Sequence, residues 1–368
     1  MIFATNKLQR MSAIAGLGLA VCALVACGGG GGEGHDGGDG LAQNPDVPTP
    51  SVGVNPGLSG WFAFRPAATN TVYRVDAATG ASTLVATAAS GQHSLYLSQD
   101  GTRYAQTIND SVTGQENSEF MKLQVYETAT KTLLFELEFE GYANAFSFSP
   151  DNRFLAAIVY PDLQANATLS ASGLAIIDLA NLAAPGVVVD FMASGGNVVY
   201  DFDWLPDNRF VYLRADRTLV GGSALVPGGN LAVLGPLEVP ANHFVSRDIS
   251  ASPDGKKILL TYNWADGRSA RNDIWIANID GSGAQRFSDG QHGEASAWSP
   301  DSQYVVVSTN AGAYFQAGLS NAYCERWYAP ATARNVNEIS AEARPVNYLE
   351  NGKVAEVPCF SGFSYMRK

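Results

Sequence analysis

The sequence predicts an all-β chain folded as a β-propeller, and three observations predict it. A short corner motif returns five times at spacings of 47 to 56 residues. A second hairpin pattern follows most copies at an offset, so each repeat holds four strands. No stretch carries the 3.6-residue apolar period of a long amphipathic helix.

The first 26 residues stand apart from that pattern. Lys7 and Arg10 precede the run "MSAIAGLGLAVCALVA", which is short for a membrane span and lies where the apolar core of a secretion signal belongs. The run leads into "LVAC", Leu24 to Cys27. That ending resembles the lipobox of bacterial lipoproteins, which implies lipidation of Cys27 and cleavage just before it. The plainer alternative is an ordinary secretion signal cleaved near Ala26. Gly28 stands where lipoproteins kept at the inner membrane carry aspartate. By resemblance the destination is therefore the outer membrane, with the domain facing the periplasm or the cell surface.

Residues 27–57 read as a tether: glycines from Gly28 to Gly40 make it flexible, and the following prolines stiffen the part nearest the domain. His35 and Asp36 lie in this tract, where holding a metal would demand a large loss of chain entropy. Residues 58–368 form the expected propeller domain, long enough for a large core. The formal charge is -12, or -14 once Lys7 and Arg10 leave with the signal. So acidic a chain excludes nucleic acid as a partner, because phosphate binding draws on Lys and Arg. It also leaves the membrane to the lipid anchor rather than to electrostatic adhesion.

Within the domain the corner is clearest in "FSFSPDNRF", Phe146 to Phe154. Its counterparts are "LYLSQDGTRYAQT" from Leu95, "FDWLPDNRFVYLR" from Phe202, "ISASPDGKKILLT" from Ile249 and "SAWSPDSQYVVVS" from Ser296. The shared aspartates are Asp100, Asp151, Asp207, Asp254 and Asp301. Apolar and small residues precede each corner, and a run rich in Val, Ile, Leu and Tyr follows: strand, tight turn, strand. In "SPDG" the serine suits position i of a type I turn, proline i+1 and glycine i+3. The aspartate between them bonds nearby backbone amides. A catalytic carboxylate needs one perturbed environment, which five equivalent sites cannot each have, so these aspartates are read as structural turn residues.

The offset hairpins are "LQVYETATKTLLFELE" from Leu123, "LAIIDLANLAAPGVVVDF" from Leu174, "DIWIANIDGSGAQRF" from Asp273 and "ERWYAPATARNVNEI" from Glu325. Two hairpins per repeat make a four-stranded antiparallel sheet, the unit of a propeller. The segments "SFSPDNRF", "SASPDGKKI" and "SAWSPDSQY" resemble the repeats of the TolB-like, PD-type propellers, relatives of the WD-repeat family. The resemblance spans nearly everything from Leu58 onward, and it does not include the amino-terminal helical domain of TolB itself. It therefore implies the fold rather than a role in the Tol system.

The 311 residues of the domain, at about 50 per repeat, predict six blades, or seven if the C-terminal segment forms a blade of its own. The N-terminal "GWFAFR" lacks a preceding corner, so the two chain ends are expected to share one blade and close the ring. A faint sixth corner at Asn351, in "NYLENGKVAEV", is read as marking that closure. Besides Cys22 and Cys27 the chain has only Cys324 and Cys359. An isolated pair in an exported protein is expected to form a disulfide, here a staple at the seam.

By family analogy, propeller ligands bind where the connections entering the innermost strands converge on the channel. Those connections carry His93, Tyr142, Asn144, Asn197, Tyr200, Asp201, His243, Arg247, Asp248, His292 and Glu294. They include three of the four histidines, and a ring of imidazoles and carboxylates suits a divalent metal. The histidines nevertheless precede their corner aspartates by 7, 11 and 9 residues, which suits loop residues at unlike heights better than one coordination layer. No GxSxG, HExxH or P-loop motif is present. Tyr314 and Phe315 lie in a long connection where they would anchor a partner or pack on the blade. The reading is a lipid-anchored cell-envelope propeller, more a protein- or ligand-binding and assembly module than an enzyme, with no cofactor or metal. The competing reading is a metal-assisted hydrolase with its site at the channel mouth.

Overall fold

The computed structural model describes residues 53–66, 71–87, 92–109, 120–140, 142–160, 172–181, 186–192, 199–265, 270–289, 296–310, 324–358 and 362–366. The proposed leader, Cys27, nearly all of the tether, His292, Glu294, Tyr314, Phe315 and Cys359 lie outside them.

The corners fold by one hydrogen-bond scheme. In four of them the serine carbonyl accepts from the amide three residues on: Gly101 to Ser98 at 2.9 Å, Asn152 to Ser149 at 2.8 Å, Gly255 to Ser252 at 2.8 Å and Ser302 to Ser299 at 2.9 Å. The aspartate Oδ1 takes the serine hydroxyl at 2.5 to 2.8 Å. It also takes the backbone N–H of Thr102, Arg153, Lys256 or Gln303. The serine Oγ in turn accepts the first amide of the outgoing strand, from Arg103, Phe154, Lys257 or Tyr304. Residue i+3 has φ between 59° and 74°, the left-handed region that glycine and asparagine tolerate best. The remaining corner has Leu205 where the others have serine; there Asp207 itself turns left-handed at φ 60°, within a 3-10 turn at Pro206–Asn208.

The sheets around these corners make six blades. Blade one holds β1 (Trp61–Arg65), β2 (Thr71–Asp76) and β3 (Ser82–Thr87). Blade two runs β4 (Gln92–Leu97), β5 (Arg103–Asn109), β6 (Phe120–Glu127), β7 (Leu133–Glu140). Blade three runs β8 (Tyr142–Phe148), β9 (Phe154–Tyr160), β10 (Ser172–Asp178), β11 (Val187–Met192). Blade four runs β12 (Val199–Trp204), β13 (Arg209–Arg214), β14 (Thr218–Ser223), β15 (Ala232–Pro236). Blade five runs β16 (His243–Ala251), β17 (Lys257–Ala265), β18 (Ala270–Asn278), β19 (Gln285–Arg286). Blade six runs β20 (Ser296–Trp298), β21 (Tyr304–Asn310), β22 (Cys324–Pro330), β23 (Arg344–Pro345). After the hairpin β24 (Asn347–Glu350) and β25 (Lys353–Glu356), β26 (Gly362–Met366) pairs antiparallel with β1 as the first strand of blade one. The two ends of the domain thus share a blade.

Six apolar clusters hold the ring, one between each pair of neighbouring blades. The interface of blades three and four contains Trp204, Phe210, Tyr212, Leu174 and Phe154, whereas among the described residues that of blades one and two has only Val85, Ala86 and Tyr104 buried. Polar stitches add to the packing. Asn152 Oδ1 accepts the Gln99 amide at 2.7 Å, Asn208 Nδ2 donates to Asp151 Oδ2 at 2.7 Å, and Ser302 Oγ accepts the Asp254 amide at 3.1 Å. In each case the residue just after a corner aspartate reaches the corner of the preceding blade.

Two expectations are corrected. The turn at Asn351 is not an inner corner: it closes the β24–β25 hairpin, which lies against the edge of blade one through Leu349 N–H to Gly80 O at 2.7 Å. The first two strands of the closing blade come from opposite ends of the domain, so no turn joins them. The segment after β22 likewise gives no outer strand in "NVNEI". Val336 is buried between blades five and six and forms a bridge to Ser288, and the short β23 takes the outer position instead.

Candidate functional site

The inner strands β26, β4, β8, β12, β16 and β20 surround a central channel containing two adjoining cavities of about 220 Å³ each. Tyr96, Phe146 and Phe363 line one cavity, and Asp201, Asp203, Ser250 and Trp298 line the other; β26 borders both. Alternation along β12 places Asp201 and Asp203 on the same side of the strand.

Both carboxylates hold blade five. Asp201 Oδ2 accepts the Ile249 amide at 2.7 Å, and its Oδ1 accepts the Phe202 amide at 2.9 Å. Asp203 Oδ2 accepts the Ala251 amide at 2.8 Å, and its Oδ1 accepts the Trp204 amide at 2.7 Å. Burial pushes the Asp201 carboxyl well above the usual carboxylate range; its backbone bonds oppose this, while the nearby charges of Asp248 and Asp203 add to it. Two indoles tie the ring in the reverse direction: Trp204 Nε1 donates to Ser147 O at 3.1 Å, and Trp298 Nε1 to Ser250 O at 3.0 Å.

Among the described residues, those singled out in the sequence fall into separate groups. Asp201 and Asp248 come together beside the channel. Asn144 lies in β8, where Ala145 has φ 53° and the register with β9 shifts; its Oδ1 is buried and meets no donor among the described residues. His93 and Arg247 are placed by their backbones in β4 and β16, but their side chains lie outside the description, as do those of Tyr142 and Cys324.

His243 lines a separate cavity of about 340 Å³ with Pro240, Asp273, Trp275 and Arg286. Strand pairing explains the grouping: Tyr262 pairs with Asp273, and Trp275 with Arg286, so their side chains share the face of blade five that meets blade four. Asp273 is buried at 1% exposure. Arg286 Nη2 donates to its Oδ1 at 3.2 Å, Nε lies 3.1 Å from Oδ2 as an ion pair, and His243 Nε2 lies 3.7 Å from Oδ2.

Asp203, Asp273, Trp275 and Arg286 were not among the residues that the sequence singled out. The alternation in "DFDW" marks Asp203 as a companion of Asp201. Nothing local marks the other three, because only strand register brings them to His243. Arg326 is another such residue. It is buried, donates from Nε to Ser308 Oγ at 3.1 Å and stacks 4.4 Å above Phe363, and burial lowers its guanidinium to about 9.

No family model matches the chain, and no curated protein matches it. Solved structures do. TolB from Acinetobacter baumannii superposes with a TM-score of 0.51 at 19% identity, covering 77% of this chain and 67% of that one. A putative TolB from Agrobacterium tumefaciens gives a TM-score of 0.47 at 15% identity, over 76% of this chain and 88% of that one. At such identities the likeness is one of fold. The chain has the six-bladed β-propeller fold of TolB.

Proposed function

We propose that this chain is a lipid-anchored propeller of the cell envelope, acylated at Cys27, that binds a protein or small ligand as an assembly module. The observation carrying this reading is how the channel carboxylates are used. Asp201 and Asp203 clamp the backbone of blade five, and the indoles of Trp204 and Trp298 tie neighbouring blades, so the inner ring serves as a rigid frame. Rigid frames present loops, and the connections into the inner strands differ from blade to blade while the corners repeat. Phe244, 47% exposed near the start of β16, lies on that variable side and is a suitable anchor for a partner.

Residues 1–26 would be the signal, 27–57 the tether and 58–368 the propeller. Fractionation tests the anchor: the native chain is expected in the outer-membrane fraction with acyl label, and Cys27→Ala in the soluble fraction without it. Equal distribution of both would remove the anchor. The Cys324–Cys359 bond would tie β22 to the segment entering β26 and stabilise by about 3–4 kcal/mol. Two free thiols in the unreduced protein by mass spectrometry would exclude it.

A further inference from the structure

The cavity on the face of blade five that meets blade four is separate from the channel and shares no lining residue with it. Its volume of about 340 Å³ is within the range of small-molecule sites, about 300–1,000 Å³. We infer that it binds a neutral pyranose saccharide. This inference depends neither on the lipid anchor nor on a protein partner.

The walls point to that chemistry in three ways. Trp275 and His243 meet edge-on in the wall, with ring centres 6.1 Å apart at 76°, and buried Tyr262 supports Trp275 from behind the wall at 5.5 Å and 88°. Such a corner offers an electron-rich aromatic face to the polarised C–H bonds on one side of a sugar ring. The partly exposed Arg286 guanidinium, held in place by buried Asp273, then provides donors in a fixed orientation, the pattern that engages neighbouring hydroxyls. The indole Nε1 of Trp275 adds a buried donor with no hydrogen-bond partner among the described residues.

Charge selects against the alternatives. Arg286 is already matched by Asp273, and Asp289 Oδ1 lies 3.3 Å from its Nη2, so an incoming anion meets two carboxylates. A cation finds Asp273 equally committed to Arg286. A ligand that carries hydroxyls but no net charge accepts from Arg286 without displacing Asp273. The ions' desolvation is met within the protein before the ligand arrives.

The test uses the full chain carrying Cys27→Ala and saturation-transfer NMR, with cellobiose and N,N′-diacetylchitobiose as probes and inorganic phosphate and choline as charged controls. Saturation should reach the ring protons of at least one disaccharide, and the Trp275 indole resonance, assigned with Trp275→Phe, should shift on its addition. Trp275→Leu should weaken binding about tenfold or more, while Trp275→Phe retains most of it. The indole shift is read on the unsubstituted cavity, so the test stands even if Trp275→Leu does not fold. The inference is overturned if neither disaccharide moves the indole resonance, if a folded Trp275→Leu binds as before, or if only phosphate or choline produces the shift.

Discussion

Asp151 and Asp201 lie 50 residues apart, one in a corner and one beside the channel, and their carboxyl groups shift in opposite directions. Burial pulls Asp151 upward, but the Arg153 amide, the Ser149 hydroxyl, the Asn208 amide group and the Arg153 charge outweigh it and hold the acid low. Around Asp201 burial prevails, and the like charges of Asp248 and Asp203 reinforce it. The corner supplies hydrogen bonds to the charged form and leaves the group near water. The channel wall supplies two amides but removes the water. Position in the blade, rather than residue type, decides what an aspartate contributes here.

The largest effect should come from the apolar frame that both regions share. Trp204→Ala removes a fully buried indole and its bond to Ser147, and should cost about 3–5 kcal/mol in denaturant unfolding. A smaller loss would mean that the blades are held mainly by their corners. Next comes Asp151→Ala, which breaks the corner scheme and the stitch to Asn208 and should cost about 1–2 kcal/mol. Its folded pKa is depressed, so its contribution is present above the unfolded carboxylate value and is lost as pH falls through the folded value. The variant should therefore lose part of the decline in stability on acidification.

Asp201→Asn should act differently. A raised acid gives its full contribution below the unfolded value and loses it as pH rises through the folded value. Asparagine cannot ionise, so the variant's stability should fall less than the native protein's as pH rises. An unchanged pH dependence would show that Asp201 carries no such titration. The smallest effect is expected at the corner that lacks the serine: Asp207→Gly relieves a left-handed residue at φ 60° and should raise stability by about 0.5 kcal/mol, readable as a small rise in Tm.

The repeated part of this fold was legible in the sequence because each corner carries its own instructions. In four of the five corners serine, aspartate and a residue that accepts positive φ are all within four positions, and spacing then counts the blades. The closure was legible only in outline. Asn351 in "LENGKV" has the local grammar of a tight turn, and only the pairing of β26 with β1 shows that the hairpin is an addition to blade one's edge. The sites were legible in part. Asp201 and Asp248 could be found on their connections, but Asp273, Trp275 and Arg286 meet His243 through the register of β16 to β19, which no linear spacing displays.

The proposed binding role divides labour between the two ends of each inner strand: repeated corners would build the disk, and the unlike connections at the opposite end would engage partners. Site-specific photo-crosslinking in intact envelopes tests this most directly, with a photoreactive residue in place of exposed Phe244 near the start of β16 or exposed Lys256 in the corner at its end. The prediction is a discrete protein adduct from position 244 and none from position 256. An adduct from the corner alone would contradict the account.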